Sequence, residues 1–137
     1  MDELVKAIFA LYFAAGSTAI RTATPGGMWL SRAPQLATGT YIVLTPISAP
    51  EDFVMNSTAG TIDAMVQWSV GNINAGSDTL VVTGGAAVRT LYHDTILTGM
   101  TGINCLMAKC NNGRGPMLDP DSDGYQYILE GRYLLGR

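Results

Sequence analysis

The sequence predicts an α+β domain, an antiparallel or mixed β-sheet with two α-helices packed on one face. Three observations carry this expectation. An amphipathic run near the start has helical spacing, two later segments alternate strictly between apolar and polar residues, and a long stretch between them returns to helical spacing. The 137 residues suit one domain over 1–137, with no internal repeat, low-complexity tract or linker.

Each element follows from its residues. Asp2 and Glu3 stand where acidic residues favour the positive end of a helix. Leu4, Ile8, Leu11, Tyr12 and Ala15 then share one face and Gly16 is a natural stop, so a helix is expected over 2–15. Residues 19–24 read as a short extended piece, Pro25-Gly26-Gly27 as a turn and Met28–Ser31 as a short strand. Thr40–Ile47 is β-branched and aromatic and reads as a strand up to Pro46, followed by a polar loop over Ser48–Gly60. In Thr61–Val70, Ile62, Ala64, Val66 and Trp68 lie on one face and Asp63, Met65, Gln67 and Ser69 on the other.

Gly71–Ser77 reads as a turn. Residues 79–83 have strand-like composition, but Val81, Gly85, Val88 and Tyr92, with Leu80, Ala87 and Leu91, fall at helical spacing. A second helix is therefore expected over 78–95, with Ser77 as N-cap. Gly84 and Gly85 weaken it by about 1 kcal/mol each relative to Ala. Ile103–Asn111 reads as a strand and Asn112–Pro116 as a loop. Tyr125–Leu134 alternates, with Tyr125, Tyr127 and Leu129 opposed to Gln126, Ile128 and Glu130. The expected core contains Trp68, Ile62, Val66, Val43, Leu11, Ile8, Val88 and Leu91.

Composition narrows the function classes. Hydrophobic residues make up 47%, a globular value that excludes a disordered chain. Charged residues make up only 14%, against roughly 25% in an average soluble protein. A surface so poor in charge suits burial in an assembly. The net charge of −3 argues against gripping nucleic acid by phosphate neutralisation. One His and two Cys leave little from which to build a His-based triad or a Cys/His zinc site. The apolar run Leu4–Ala15 is interrupted by Lys6 and is shorter than the about 20 residues that cross a bilayer. Its acidic start argues against a secretory signal, although Ala14-Ala15-Gly16-Ser17 resembles a cleavage site. Cys105 and Cys110 sit five apart on an expected strand, so they should point to opposite faces as free thiols of a protein folded in a reducing cytoplasm.

One pattern matches a chemistry template in full. Asp119, Asp121 and Asp123, with Gly124 and Glu130, fall at the spacing of a calcium-binding helix-loop-helix, in which oxygens gather around a glycine turn. Its flanks should be helices. Here Gly113-Arg114-Gly115-Pro116 precedes it and a strand-like segment follows, which favours a polar hairpin tip. His93 has Asp94 beside it, but adjacent helical residues do not face each other. The methionines, among them Met28, Met65, Met100, Met107 and Met117, read as core filler or adaptable contact surface. Pro25-Gly26-Gly27 has no Lys-Ser/Thr and opens no helix, so it is not a phosphate loop. Arg32, Lys109, Arg114, Arg132 and Arg137 are cations in or near strands, suited to solubility and inter-subunit pairing. Arg114, Arg32 and Lys109 are the candidates for an interface or lumen.

The layout resembles the small tail-terminator (tail-completion) proteins and related neck proteins of long-tailed bacteriophages. The likeness runs over most of the chain. It consists of the first helix, Met28-Trp29-Leu30 leading through Arg32-Ala33-Pro34 to Tyr41-Ile42-Val43-Leu44, and a polar loop. A strand ending Gln67-Trp68-Ser69, a helix closing with Leu91-Tyr92, and a hairpin across Asp121-Ser122-Asp123-Gly124 complete it. Gly84-Gly85 inside the second helix and the length of the loop over 48–60 depart from it. The resemblance implies a structural virion protein of the tail or neck, assembled in the bacterial cytoplasm, with no catalysis, no cofactor and no membrane. It implies a homohexameric ring that ends the tail tube, meets the tube protein on one side and the head connector on the other, and lets DNA pass. Three other readings compete: another neck protein such as a head-closure or connector adaptor, a calcium-binding β-rich module through 119–130, and a small hydrolase using His93.

Overall fold

The computed structural model describes residues 2–33, 39–49, 51–53, 60–72, 78–111, 113–119 and 124–136, and these described residues form three helices and seven strands. In order they are α1 (Asp2–Tyr12), α2 (Thr18–Ala23), β1 (Met28–Leu30), β2 (Thr40–Ser48), β3 (Glu51–Phe53) and β4 (Gly60–Asn72). There follow α3 (Thr79–Tyr92), β5 (Asn104–Cys110), β6 (Arg114–Asp119) and β7 (Gly124–Gly136). The fold is α+β. The strands make one mixed sheet: β1 runs parallel to β2 and every other pairing is antiparallel.

The two longest strands, β4 and β7, form the spine and pair without a break from Thr61↔Gly136 to Asn72↔Tyr125. Each carries two shorter strands in tandem on its other edge. β2 and then β3 line β4, while β5 and β6 line the two halves of β7. A strand alternates its side chains between faces. On β4, accordingly, Ile62, Ala64, Val66, Trp68 and Val70 are buried, and the residues between them are half-buried. Ile42, Leu44, Leu129, Tyr133 and Leu135 continue the same inner face.

All three helices pack on that inner face and close one core. Tyr92 of α3 stacks on Trp68, with ring centres 4.9 Å apart, and donates its hydroxyl to the Ile8 carbonyl of α1 at 2.8 Å. Burial raises the Tyr92 hydroxyl well above its ordinary range, so it stays protonated and able to donate. The glycine pair of α3 has a packing reason. A Cβ on Gly84 would come within 2.8 Å of Val70 Cγ1, and one on Gly85 within 2.5 Å of the Tyr127 ring. The helix lies so close to β4 and β7 that only hydrogen fits between.

Several expectations change. Residues 18–23 are helical, not extended, which adds a third helix to the expected two. Its anchor is tertiary. Arg21 Nη1 donates to the Tyr12 and Ala14 carbonyls at 2.7 and 2.6 Å, and Ser17 Oγ donates to the Leu11 carbonyl at 2.6 Å. These bonds satisfy the loose carbonyls at the end of α1, which stops at Tyr12 and not at residue 15. The expected loop over 48–60 contains β3, and the expected loop over 112–116 opens β6. Both find partners on edges of the long strands that no local pattern reveals. β4 runs on through Gly71 and Asn72, which read as turn. In β2 the buried positions are Ile42 and Leu44, so Val43 is half-buried on the outer face, and Leu11 and Leu91 pack at the margin of the core. The second expected helix stands, over Thr79–Tyr92; Ser77 lies outside the described residues.

The cysteines also differ from expectation. Both Cys105 and Cys110 are buried and free. A register shift between Cys105 and Met107 inserts an extra residue, which turns the odd spacing into the same face. Some five residues of strand keep them about 16 Å apart, beyond the reach of a disulfide.

Candidate functional site

Seven charged side chains of this charge-poor chain, together with its one histidine, gather in one place. β5 and β6 meet the same edge of β7, and at their junction Asn111 Oδ1 accepts from the amides of Glu130 and Gly113 at 3.0 and 3.2 Å. Around this junction lie Asp63 of β4, Glu130 and Arg132 of β7, Lys109 of β5, Arg114 of β6, and Arg89, His93 and Asp94 at the end of α3. Arg132 grips Asp63 in two-point fashion, Nε to Oδ1 at 2.9 Å and Nη2 to Oδ2 at 2.5 Å. Arg114 meets Glu130 at 3.0 Å, and Lys109 meets Asp94. Among the described residues every ion pair except Lys6–Glu3 belongs to this patch.

A cleft of about 480 Å³ opens in it, lined among others by Met65, Arg89, His93, Lys109, Glu130 and Arg132. Asp63 and Asp94 stand outside that lining, so cations outnumber the one lining carboxylate, Glu130. The hydrogen bond from Lys109, helped by His93, holds the Asp94 carboxyl below its ordinary range. The Arg132 fork does the same for Asp63, and Asp63 in turn raises Arg132.

The end of α3 is fastened to β5. The Cys110 amide donates to His93 Nδ1 at 3.0 Å, the Asp94 amide donates to the Ala108 carbonyl at 3.0 Å, and Arg89 Nη1 donates to the Cys110 carbonyl at 2.6 Å. These bonds occupy the outward backbone groups of an edge strand, one of the ways a sheet edge is blunted. His93 and Asp94 do face each other, with Nε2 3.3 Å from Oδ2, against the expectation for helical neighbours. The chain has already left the helix there: His93 is extended and Asp94 has φ 58°. With one ring nitrogen on a backbone amide, His93 is a clamp. Cys110 is not activated as a nucleophile, because burial pushes its thiol up to about 11.

Lys109 and Arg114 both lie along β7, Lys109 opposite Arg132 and Arg114 bonded to Glu130, and Arg32 lies apart, exposed beyond β1 at the opposite edge of the sheet. Of the calcium-loop pattern, Asp119 ends β6, Glu130 lies on β7, and Asp121 and Asp123 lie outside the described residues, as does Arg137. The described flanks are the paired strands β6 and β7. Glu130 stands about 20 Å along β7 from Gly124 and is bound to Arg114. Among the described residues no three His, Cys, Asp or Glu side chains group as metal ligands. The sequence reading missed Arg132–Asp63 as a pair. Its only trace was two opposite charges on outer-face positions of strands whose register was still unknown.

A second hollow, about 650 Å³, lies between α2, α3 and the start of β2, lined by Thr18, Thr22, Thr40, Asn72 and Leu80 among others. None of its lining side chains titrates, and the Asn72 amide is already bonded to Thr40 Oγ1 at 2.9 Å. Among the described residues no helix is long and apolar enough to cross a membrane.

No family profile and no curated protein matches the chain. Solved structures that share its fold include two that match nearly the whole chain. One is a chain from the virion of a native gene transfer agent particle, 15% identical, with a TM-score of 0.70 over 95% of this chain and 92% of that one. The other is 11% identical, with a TM-score of 0.60 over 98% of this chain and 95% of its own.

Proposed function

We propose that this chain is a structural virion protein, a tail terminator that closes a ring on the end of the tail tube and joins it to the head connector. The observation that supports this most is the end-to-end fold shared with a virion chain of a gene transfer agent particle. The low charge fraction and the clustering of ion pairs at the β5 side of the sheet, where no described helix covers the outer face, favour contacts between protein subunits. The ring is a homohexamer assembled in the host cytoplasm. Its subunits meet head to tail, the arrangement that closes when the rotation between neighbours allows it. Weak contacts suffice, because a ring matched to the tube engages several at once. The lumen passes DNA without gripping it, in keeping with a net charge of −3.

The test is negative-stain imaging of the protein mixed with growing tail tubes. Tubes that stop at a set length under a ring support the terminator. Tubes that outgrow that length with no ring at the end sink it. A ring found on the head connector, with bare tube ends, places the protein in the neck as an adaptor instead.

A further inference from the structure

We propose that the cleft at the β5–β6 junction receives the acidic β6–β7 hairpin tip of a second copy of this chain, so that cleft and tip are the two halves of one head-to-tail contact. The inference rests on the ring reading and supplies its interface.

Charge complementarity carries it. The cleft is lined by Arg89, Lys109 and Arg132 against the single carboxylate of Glu130; with the partners Asp94, Asp63 and Arg114 the patch holds four cations and three carboxylates, on a chain whose net charge is −3. The segment that joins β6 to β7 carries Asp119, Asp121 and Asp123, and no Lys or Arg occurs between Arg114 and Arg132. The cleft, lined from α3, β4, β5 and β7, and the segment between β6 and β7 thus differ in the sign of their charge. The four residues 120–123 spring from the paired ends Asp119 and Gly124, about 20 Å along β7 from Glu130, and are too few to reach back to the cleft of their own copy. A contact between two different patches is heterologous, and repeated around an axis it makes a ring.

The edges of the sheet favour side-chain docking over strand addition. β5 is fastened by the end of α3, β1 and β3 have three residues each, and β6 carries Pro116 and a register shift between Arg114 and Met117. Two of the cleft's cations, Lys109 and Arg132, are held by exposed ion pairs with Asp94 and Asp63. Such pairs contribute little to stability and exchange for an incoming carboxylate at little cost.

Lys6 and Lys109 are the only lysines, which makes a carbodiimide cross-link easy to map, since the reagent joins an amine to a carboxylate with loss of water. The experiment mixes the full chain with a heavy-nitrogen copy, alone and with tail tubes, and maps amide bonds by mass spectrometry. The expected product joins Lys109 of one copy to the peptide carrying residues 119–123 of the other. Its yield falls with added salt, and it disappears in Asp119→Asn/Asp121→Asn/Asp123→Asn, whose circular dichroism stays native. Cross-links confined within single copies overturn the proposal, as does an inter-copy product undiminished in the triple variant. Rings on tube ends without this cross-link refute the contact and leave the terminator reading standing. The cross-link without rings does the reverse.

Discussion

Trp68 is the residue on which the inner face converges. It is 0% exposed, stacks on Tyr92, and takes the edge of Tyr133 with ring centres 6.4 Å apart. Truncating a buried aromatic removes its transfer energy and leaves a cavity, so Trp68→Ala should cost about 3–5 kcal/mol in urea unfolding. Trp68→Phe should cost much less. The indole N–H has no hydrogen-bond partner among the described residues, so its removal abandons nothing. Opposite the ring lies Gly131, whose added Cβ would run into the Trp68 Cζ3 and Cη2 atoms. Gly131→Ala should therefore lose about 1–3 kcal/mol by overpacking, and a wild-type melting temperature in that variant would contradict the packing described here. Trp68 was legible in the sequence through its place in a strict alternation. Gly131 was not, because the reason for it is the ring on the neighbouring strand.

At the scale of elements, α3 tests whether packing or propensity governs the glycine pair. An isolated helix would gain about 1 kcal/mol from Gly85→Ala. Here the new methyl meets the Tyr127 ring, so the variant should melt lower than the wild type. A higher melting temperature would mean that the helix stands further from the sheet. α2 hangs on Arg21, and Arg21→Ala should cost about 1.5–3 kcal/mol, the range for hydrogen bonds from a charged donor. Hydrogen exchange should show α2 and the last turn of α1 opening together in that variant. The elements that local pattern carries were legible, α1, α3, β4 and β7 from periodicity and β2 and β5 from strand-like composition. α2, β3 and β6 were not. Each is short, and each exists because of a partner far away in sequence: Arg21 with the end of α1, β3 with β4, and β6 with β7. The candidate site divides in the same way. Lys109, Arg114 and Arg132 were visible as cations near strands, and Glu130 as a carboxylate of a calcium pattern on one face of an alternating strand. Their meeting depends on the β5–β7 and β6–β7 registers, which one residue of slip would undo.

At the scale of the molecule, the paired carboxylates Asp63 and Asp94 are exposed and the groups that resist ionisation sit in the core, which fixes the shape of the pH–stability curve. Asp63 and Asp94 have folded values below their ordinary 3.8, because Arg132 and Lys109 favour the charged forms. A lowered carboxyl contributes stability above its unfolded value and loses it as the pH falls through the lower folded value. Both are exposed, so this acid limb should be shallow and should flatten further in salt. The alkaline limb has the opposite origin. Burial raises Cys110 from 9.0 to about 11, and it raises Tyr92 and Tyr133 from 10.0, because each would have to ionise inside the core. A raised acid of this kind contributes stability that is fully present below its unfolded value and lost as the pH rises towards the folded one. The melting temperature should therefore hold level between about pH 4 and pH 9 and fall on either side, more steeply on the alkaline one. Cys110→Ala should delay the onset of the alkaline fall, since the tyrosines alone begin to matter only above 10.0. An alkaline limb that begins at the same pH in that variant would show that the Cys110 thiol ionises freely and is not held in the core.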